Sequence, residues 1–202
     1  MKMEIDNYFC QQCKTYGQQV YDLFRDVLGN ESDFSKRPVE VMKQAKGGFP
    51  GYSSPGFIFI TTEMDKPQAE ENFVFQLAHE LGHHLLNNSE LIFVDGKVKS
   101  IWKQQSEEFC VAVSIKALES LDMKDYSTRV IKYMKTNERH KGYWTPNIER
   151  LLNENMSLRE LLLKWEKYAD CGVTKPRKSL VGSLLPPKTN SCGQKPHPQP
   201  HP

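Results

Sequence analysis

The sequence predicts an α+β fold in which a small sheet lies beside a central helix. The apolar run FIFITT (57–62) directly follows Gly56 and is typical of a short buried strand. The next segment, about 65–87, repeats apolar residues at helical intervals. Four more segments with helical periodicity follow in the second half of the chain. A few short strands combined with many helices indicate the α+β class rather than an all-β or all-α protein.

The N-terminal quarter is predicted to be helix followed by loop. In residues 5–30 apolar side chains recur mostly every three or four positions, which predicts one or two amphipathic helices. Residues 31–56 contain three prolines and four glycines, so they are predicted to be loop with a short helix around VEVMKQA (39–45). Cys10 and Cys13 form a single Cys-x-x-Cys, which is not a zinc ribbon, and we expect them to pack as small hydrophobic side chains.

The central helix has a start signal and an approximate end. Asp65 and Gln68 have the spacing of a capping box, and Pro67 falls in the first turn, where its missing N–H does no harm. This helix is predicted to run to about Asn87. The chain then continues with a hairpin around a central Asp-Gly at 91–102. Further helices are predicted at 104–121, 125–137, 145–153 and 157–168, the last opened by the capping box SLRE.

A change in composition near residue 170 predicts two regions, a folded domain at 1–170 and a tail at 171–202. No acidic residue follows Asp170, and five lysines and arginines give the tail a charge of +5. Since the whole chain carries +2, the domain carries −3. The tail is also rich in proline and serine, so it is predicted to be a disordered basic segment.

Composition excludes several functional classes. With 38% hydrophobic and 26% charged residues the chain is typical of a globular domain, and a net charge of +2 argues against nucleic acid as a partner. No stretch approaches the roughly 20 apolar residues of a membrane span, so no membrane partner is expected. The first residues lack the apolar core of a secretory signal. Five cysteines without regular spacing favour a reducing compartment, and the cytoplasm is the predicted location.

The segment AHELGHHLL (78–86) carries the predicted chemistry. On a helix, His79 and His83 point in directions only about 40° apart, so their imidazoles can bind one metal ion. Glu80 lies about 100° from His79, close enough to act on a water molecule without being a ligand. His84 lies outside this face and is predicted to be a packing or supporting residue. Gly82 is predicted to let another segment pack closely.

A solvated polar face is the alternative interpretation of this pattern. Against it, the motif lies late in a helix that directly follows a buried strand, and the other side of that helix is apolar. That apolar side consists of Phe73, Leu77, Leu81 and Leu85. We therefore predict a zinc site.

A catalytic zinc site usually has three protein ligands, so one more is required. The candidates are Glu90, Asp95, Glu107 and Glu108. Helical phase favours Glu107, because its stripe consists of small and apolar residues (Cys110, Val111, Ser114 and Leu118) and is expected to face inward. A carboxylate on an inward apolar stripe needs a cation or a shifted pKa. Glu107 is the predicted third ligand, and an ion pair with a lysine is the alternative role for it.

The segment FIFITTEMDKPQAEENFVFQLAHELGHHLL (57–86) resembles the core of the ImmA/IrrE family of metallopeptidases. Phe75, Ala78 and the run His79 to His83 match the family's helix motif. EEFCVA (107–112) places Glu107 and Ala112 in register with the family's third-ligand motif, whereas Glu108 and Phe109 depart from its Ala-Asn. The resemblance covers about residues 57–120.

The resemblance implies a zincin-like domain and a zinc-dependent endopeptidase with Zn²⁺ on His79, His83 and Glu107. Glu80 is then the general base that takes a proton from water and delivers it to the leaving amine. The implied partner is a protein or peptide substrate, specifically a helix-turn-helix transcriptional repressor. The alternatives are a non-catalytic zinc-binding interaction module and a zinc hydrolase acting on a non-peptide bond.

Two further expectations concern the substrate. Tyr52, and His140 or Tyr143, are candidate donors to the transition state, and the alternative for each is an ordinary loop or core residue. The strand FIFITT is expected to offer an edge to an extended peptide, because strand addition is a recurring mode of peptide capture.

Overall fold

The computed structural model describes residues 3–29, 32–45, 48–53, 56–86, 91–94, 97–100, 104–137, 144–154 and 156–164. Within these ranges the chain forms seven helices and six strands. In chain order they are β1 (Met3–Ile5), α1 (Gln11–Leu28), α2 (Asp33–Lys36), β2 (Val39–Lys43), β3 (Gly51–Ser53), β4 (Phe57–Ile60), α3 (Ala69–Leu86), β5 (Leu91–Val94), β6 (Lys97–Ser100), α4 (Gln104–Ser120), α5 (Lys124–Thr136), α6 (Pro146–Asn153) and α7 (Leu158–Leu163). The predicted tail 171–202 and the candidates Glu90, Asp95, His140 and Tyr143 lie outside the described residues.

The α+β prediction is confirmed. Four strands form a mixed sheet in the order β1-β2-β4-β3, in which β1, β2 and β4 are parallel and β3 is antiparallel to β4. The sheet is half-buried: along β4, Ile58 and Ile60 are buried while Phe57 and Phe59 are only partly buried. The predicted hairpin is also present, as β5 paired antiparallel to β6.

Two predictions about the sheet are wrong. VEVMKQA contains strand β2 rather than a helix, because Val39 and Val41 alternate with exposed Glu40 and pack inward from a pleated strand. FIFITT does not present an edge, because β4 lies between β2 and β3 and is paired on both sides. Among the described strands the edges of this sheet are β1 and β3.

Two helix starts also differ from expectation. The first helix begins at Gln11, after the short strand β1 and a turn, with Cys10 as its N-cap. The helix after β4 begins at Ala69 rather than at Asp65. Gln68 has a φ of 63°, outside the helical region, so it cannot serve as the third residue of a capping box opened by Asp65.

Helix α3 lies in the centre of the core, in contact with α1, α4, β3 and β4. Phe73, Leu77 and Leu81 are completely buried and Leu85 is nearly so, which confirms the predicted apolar side of this helix. Of the nine residues 78–86, eight are buried and only His79 is partly exposed. The segment with the His-Glu-x-x-His motif is therefore held rigidly by packing on several sides.

The last two described helices begin with N-terminal signals, of which the capping box of α7 is the predicted one. Thr145 caps α6 by accepting a hydrogen bond from the N–H of Ile148, and Pro146 occupies the first helical position. Ser157 and Glu160 form the predicted capping box of α7. None of the helices in the described ranges is long and apolar enough to cross a membrane.

Candidate metal centre

Three side chains from two helices converge on one point. His79 and His83 lie one turn apart on α3, and their Nε2 atoms are 3.2 Å from each other. Glu107, in the first turn of α4, places Oε2 at 3.2 Å from His79 Nε2 and Oε1 at 3.2 Å from His83 Nε2. The structure thus brings together the three side chains that the sequence selected as ligands, and this group could hold a metal ion.

Helices α3 and α4 pack closely, so side chains from both helices can reach the same position. At Gly82 a Cβ atom would lie 2.8 Å from Sγ and 3.4 Å from Cα of Cys110 on α4, closer than side chains normally pack. The glycine therefore lets the two helix backbones approach one turn away from Glu107. The predicted role of Gly82 in close packing is confirmed.

The three side chains lie close enough together to bind one ion. Nε2 of His79 and Nε2 of His83 are 3.2 Å apart, and each of them is 3.2 Å from a different oxygen of the Glu107 carboxylate. One ligand atom from each residue lies within 4.8 Å of the other two. Two imidazoles and one carboxylate suit zinc and other transition metals, whereas calcium and magnesium prefer oxygen ligands alone. Three protein ligands are also the number typical of catalytic zinc sites, in which water or substrate takes the remaining position.

Among the three converging side chains, His79 is the most accessible. The side chain of His79 is 15% exposed, whereas those of His83 and Glu107 are 2% and 8% exposed. A substrate would therefore reach the metal position past His79. The ring of Phe75, one turn earlier on α3, lies roughly parallel to that of His79 with 6.5 Å between centroids and forms part of this entrance.

Glu107 is held in its charged form. Burial alone would raise its pKa, but hydrogen bonds to His79 and His83 and the charges of those imidazoles outweigh burial and lower the pKa well below its usual range. A carboxylate that stays ionised while nearly buried is ready to bind a cation without first losing a proton. The Glu107 side chain therefore has the charge state that a metal ligand needs.

Glu108 points to a different environment. Its carboxylate accepts hydrogen bonds from Nδ2 of Asn147 on α6 and from Nε2 of Gln104 on α4. The contact with Asn147 fastens α4 to α6, and both contacts are separate from the cluster of Glu107 with the two histidines. Helical phase also places Glu107 and Glu108 on different faces of α4. It carries no information on Asn147, which is 39 residues further along the chain.

The two carboxylates give a matched pair of variants. We expect Glu107→Gln to weaken zinc binding ten-fold or more, at least about 1.4 kcal/mol, because a neutral amide replaces a charged ligand at nearly constant volume. Glu108→Gln should leave zinc affinity nearly unchanged. The measurement is a competition titration against a chelator, with circular dichroism to verify folding. Loss of affinity in Glu108→Gln alone would show that the ligand has been misassigned by one residue.

Glu80 directly follows His79 on α3 and is only 2% exposed. It does not belong to the three-residue group that surrounds the metal position. Because it is the neighbour in sequence of His79, this buried carboxylate is the candidate for proton exchange at the centre.

His84 packs in the core and not at the metal position, in agreement with its predicted role. Its ring lies edge-on to Phe34 and to Tyr52, with 5.0 and 5.3 Å between centroids. Burial is the largest cause that lowers the pKa of His84, and the positive charge of Arg37 adds to it. The pKa falls to about 3, so the ring is neutral at physiological pH. Tyr52, one of the three candidate donors, is completely buried against this ring.

Sequence reasoning missed Phe75 as a neighbour of the site and Asn147 as the partner of Glu108. The position of Phe75 could have been found, because it lies four residues before His79 and shares its face of α3.

The chain was compared with protein-family models, with curated proteins and with solved structures, and none of the three comparisons gives a match.

Proposed function

We propose that this protein is a zinc-dependent endopeptidase with a zincin-like fold, in which His79, His83 and Glu107 hold the metal. The observation that carries the proposal is the convergence of these three side chains at 3.2 Å, with Glu80 following directly on the same helix. A site that served only to stabilise the fold would need no carboxylate next to it for proton transfer. The buried Glu80 therefore favours catalysis over a purely structural zinc site.

Each side chain has a defined task in this proposal. When bound, zinc supplies Lewis acidity, which lowers the pKa of water and polarises a carbonyl group. His79 and His83 fix the ion against α3, and Glu107 supplies the negative charge that keeps it there. Glu80 takes a proton from the attacking water and delivers it to the nitrogen of the leaving amine.

The sheet offers a place for the substrate backbone. Among the described strands, β3 is the edge that contacts α3, and its Tyr52 packs on His84, the residue after the ligand His83. An extended peptide added to this edge would run past the helix that carries the motif. In this proposal β3, and not FIFITT, is the sheet edge that binds an extended peptide.

We further propose a cytoplasmic protein substrate, specifically a helix-turn-helix transcriptional repressor. This step rests on the resemblance of residues 57–120 to the ImmA/IrrE family. The limited exposure of His79, next to the buried His83 and Glu107, is consistent with a selective enzyme that accepts few substrates.

The proposal is tested by metal removal. Lysate of the source organism, not treated with any other protease, is divided into three samples. The first receives zinc-loaded protein, the second receives protein stripped of metal by a chelator, and the third receives stripped protein to which zinc has been restored. Mass spectrometry then records new protein N-termini. We expect new termini with the loaded and restored samples and none with the stripped sample.

The other outcomes identify the rival functions. Tight zinc binding without any new terminus would indicate a non-catalytic binding module or a hydrolase of non-peptide bonds. Equal cleavage by stripped and loaded protein would overturn the metal-dependent mechanism.

A further inference from the structure

Two thiols at the start of α1 lie within reach of each other. Cys10 is the exposed N-cap residue of this 18-residue helix, and Cys13 lies one turn later with none of its surface exposed. Their Sγ atoms are 3.3 Å apart. The backbone N–H of Cys13 also donates a hydrogen bond to Sγ of Cys10 at 3.3 Å. The expectation that both cysteines pack as small hydrophobic residues therefore holds for Cys13 and is wrong for Cys10.

We propose that Cys10 and Cys13 form a thiol–disulfide exchange site whose substrate is a low-molecular-weight disulfide of the glutathione type. The Cys10 thiolate attacks one sulfur of that disulfide, which forms a mixed disulfide and releases the first small thiol. Cys13 then attacks Sγ of Cys10, and its proton passes to the departing sulfur, which leaves as the second small thiol. The two protein thiols are oxidised to one disulfide, and the substrate disulfide is reduced to two thiols.

The positions of the two sulfurs assign their roles. Cys10 is exposed at the start of α1, and the N–H of Cys13 donates a hydrogen bond to its sulfur, so Cys10 is the thiol that a small disulfide can reach. Cys13 is buried, and its pKa is raised to about 12, first by that burial and then by its interactions with Cys10. Cys13 therefore keeps its proton while Cys10 reacts, and it becomes the resolving thiol once Cys10 carries the mixed disulfide.

Closing the disulfide requires little movement. A disulfide bond is about 2.05 Å long, so the two sulfurs must approach by about 1.3 Å, within the reach of side-chain rotation. The surrounding backbone is fixed, because Phe9 packs on Phe73 of α3 with 4.9 Å between centroids. Sδ of Met64 lies 3.7 Å from Sγ of Cys13 and helps to hold that sulfur in place.

The experiment uses the zinc-loaded full chain in a background of Cys171→Ser and Cys192→Ser, which leaves Cys10, Cys13 and Cys110 as the thiols. The protein is incubated with mixtures of reduced and oxidised glutathione, quenched with acid, alkylated and mapped by mass spectrometry. We expect an intramolecular Cys10–Cys13 disulfide, and a glutathione adduct on Cys10 in the Cys13→Ser variant. Cys10→Ser, which keeps a capping side chain, should react at least ten-fold more slowly.

The result that would overturn the proposal is equal reactivity of Cys10→Ser and the parent, or a parent that stops at the mixed disulfide. Buried Cys110 is the internal control for an opened fold, because it should stay unmodified throughout. The readout depends on neither peptidase activity nor substrate. Its failure therefore leaves the proposed peptidase function untouched, and the reverse also holds.

Discussion

Replacing Glu80 by glutamine is expected to reduce peptide cleavage by about 10²- to 10⁴-fold, the usual contribution of a positioned general base. The amide has nearly the volume of the carboxylate but cannot accept and return a proton at neutral pH. Because Glu80 is not one of the three converging ligands, the variant should retain its zinc. Cleavage of the identified substrate and zinc content by atomic emission are measured on the same preparation.

The matched control for this experiment is Glu71→Gln, which neutralises a carboxylate in the first turn of the same helix, away from the ligands. It should cleave at the wild-type rate. Full activity in Glu80→Gln would remove Glu80 from the mechanism. Loss of both zinc and activity would instead make Glu80 a residue that supports the metal, and the base would have to be found elsewhere.

Adjacent histidines of α3 should respond to mutation in opposite ways. We expect His83→Ala to weaken zinc binding by about 100-fold or more, roughly 2.7 kcal/mol, because it removes one of the three ligands that the described residues bring together. His84→Phe should keep the wild-type affinity, since its ring lies against Phe34 and Tyr52 instead of the metal position. Phenylalanine preserves this aromatic packing, whereas alanine would leave a cavity.

Affinity is measured by competition with a chelator, and thermal unfolding of the metal-free proteins verifies that both variants fold. Equal loss of zinc in the two variants would mean that the ligand face of α3 has been misassigned. Unchanged affinity in His83→Ala would show that the cluster of His79, His83 and Glu107 is not the zinc site.

The positions of the metal-centre residues could be predicted from sequence because they depend mainly on local geometry. A four-residue spacing on a helix determines that His79 and His83 lie on one face, whatever the rest of the chain does. Helical phase likewise separates Glu107 from Glu108 within α4. What phase alone could not supply is the position of α4 relative to α3, which depends on the contact between Gly82 and Cys110.

The errors concern features that depend on tertiary contacts. The period-two alternation of Val39, Glu40 and Val41 is short, and three residues cannot distinguish a strand from a turn of helix without knowledge of the neighbouring strand. The order of strands in a sheet is also a long-range property, so FIFITT could be predicted as a strand but not as an interior one. The exposure of Cys10 followed from the exact start of α1, and helix ends are the least predictable part of an element.

The proposed ligands come from two helices, α3 and α4, so zinc binding as we propose it would make metal supply a determinant of how much of this protein a cell contains. An ion that binds only the folded chain raises its unfolding free energy, by about 2.7 kcal/mol when free zinc is 100 times the dissociation constant. When zinc is scarce, the same chain opens more often and is exposed to cellular proteases. Depletion would then lower the abundance of the protein as well as its activity, and refilling the site would not restore molecules already degraded.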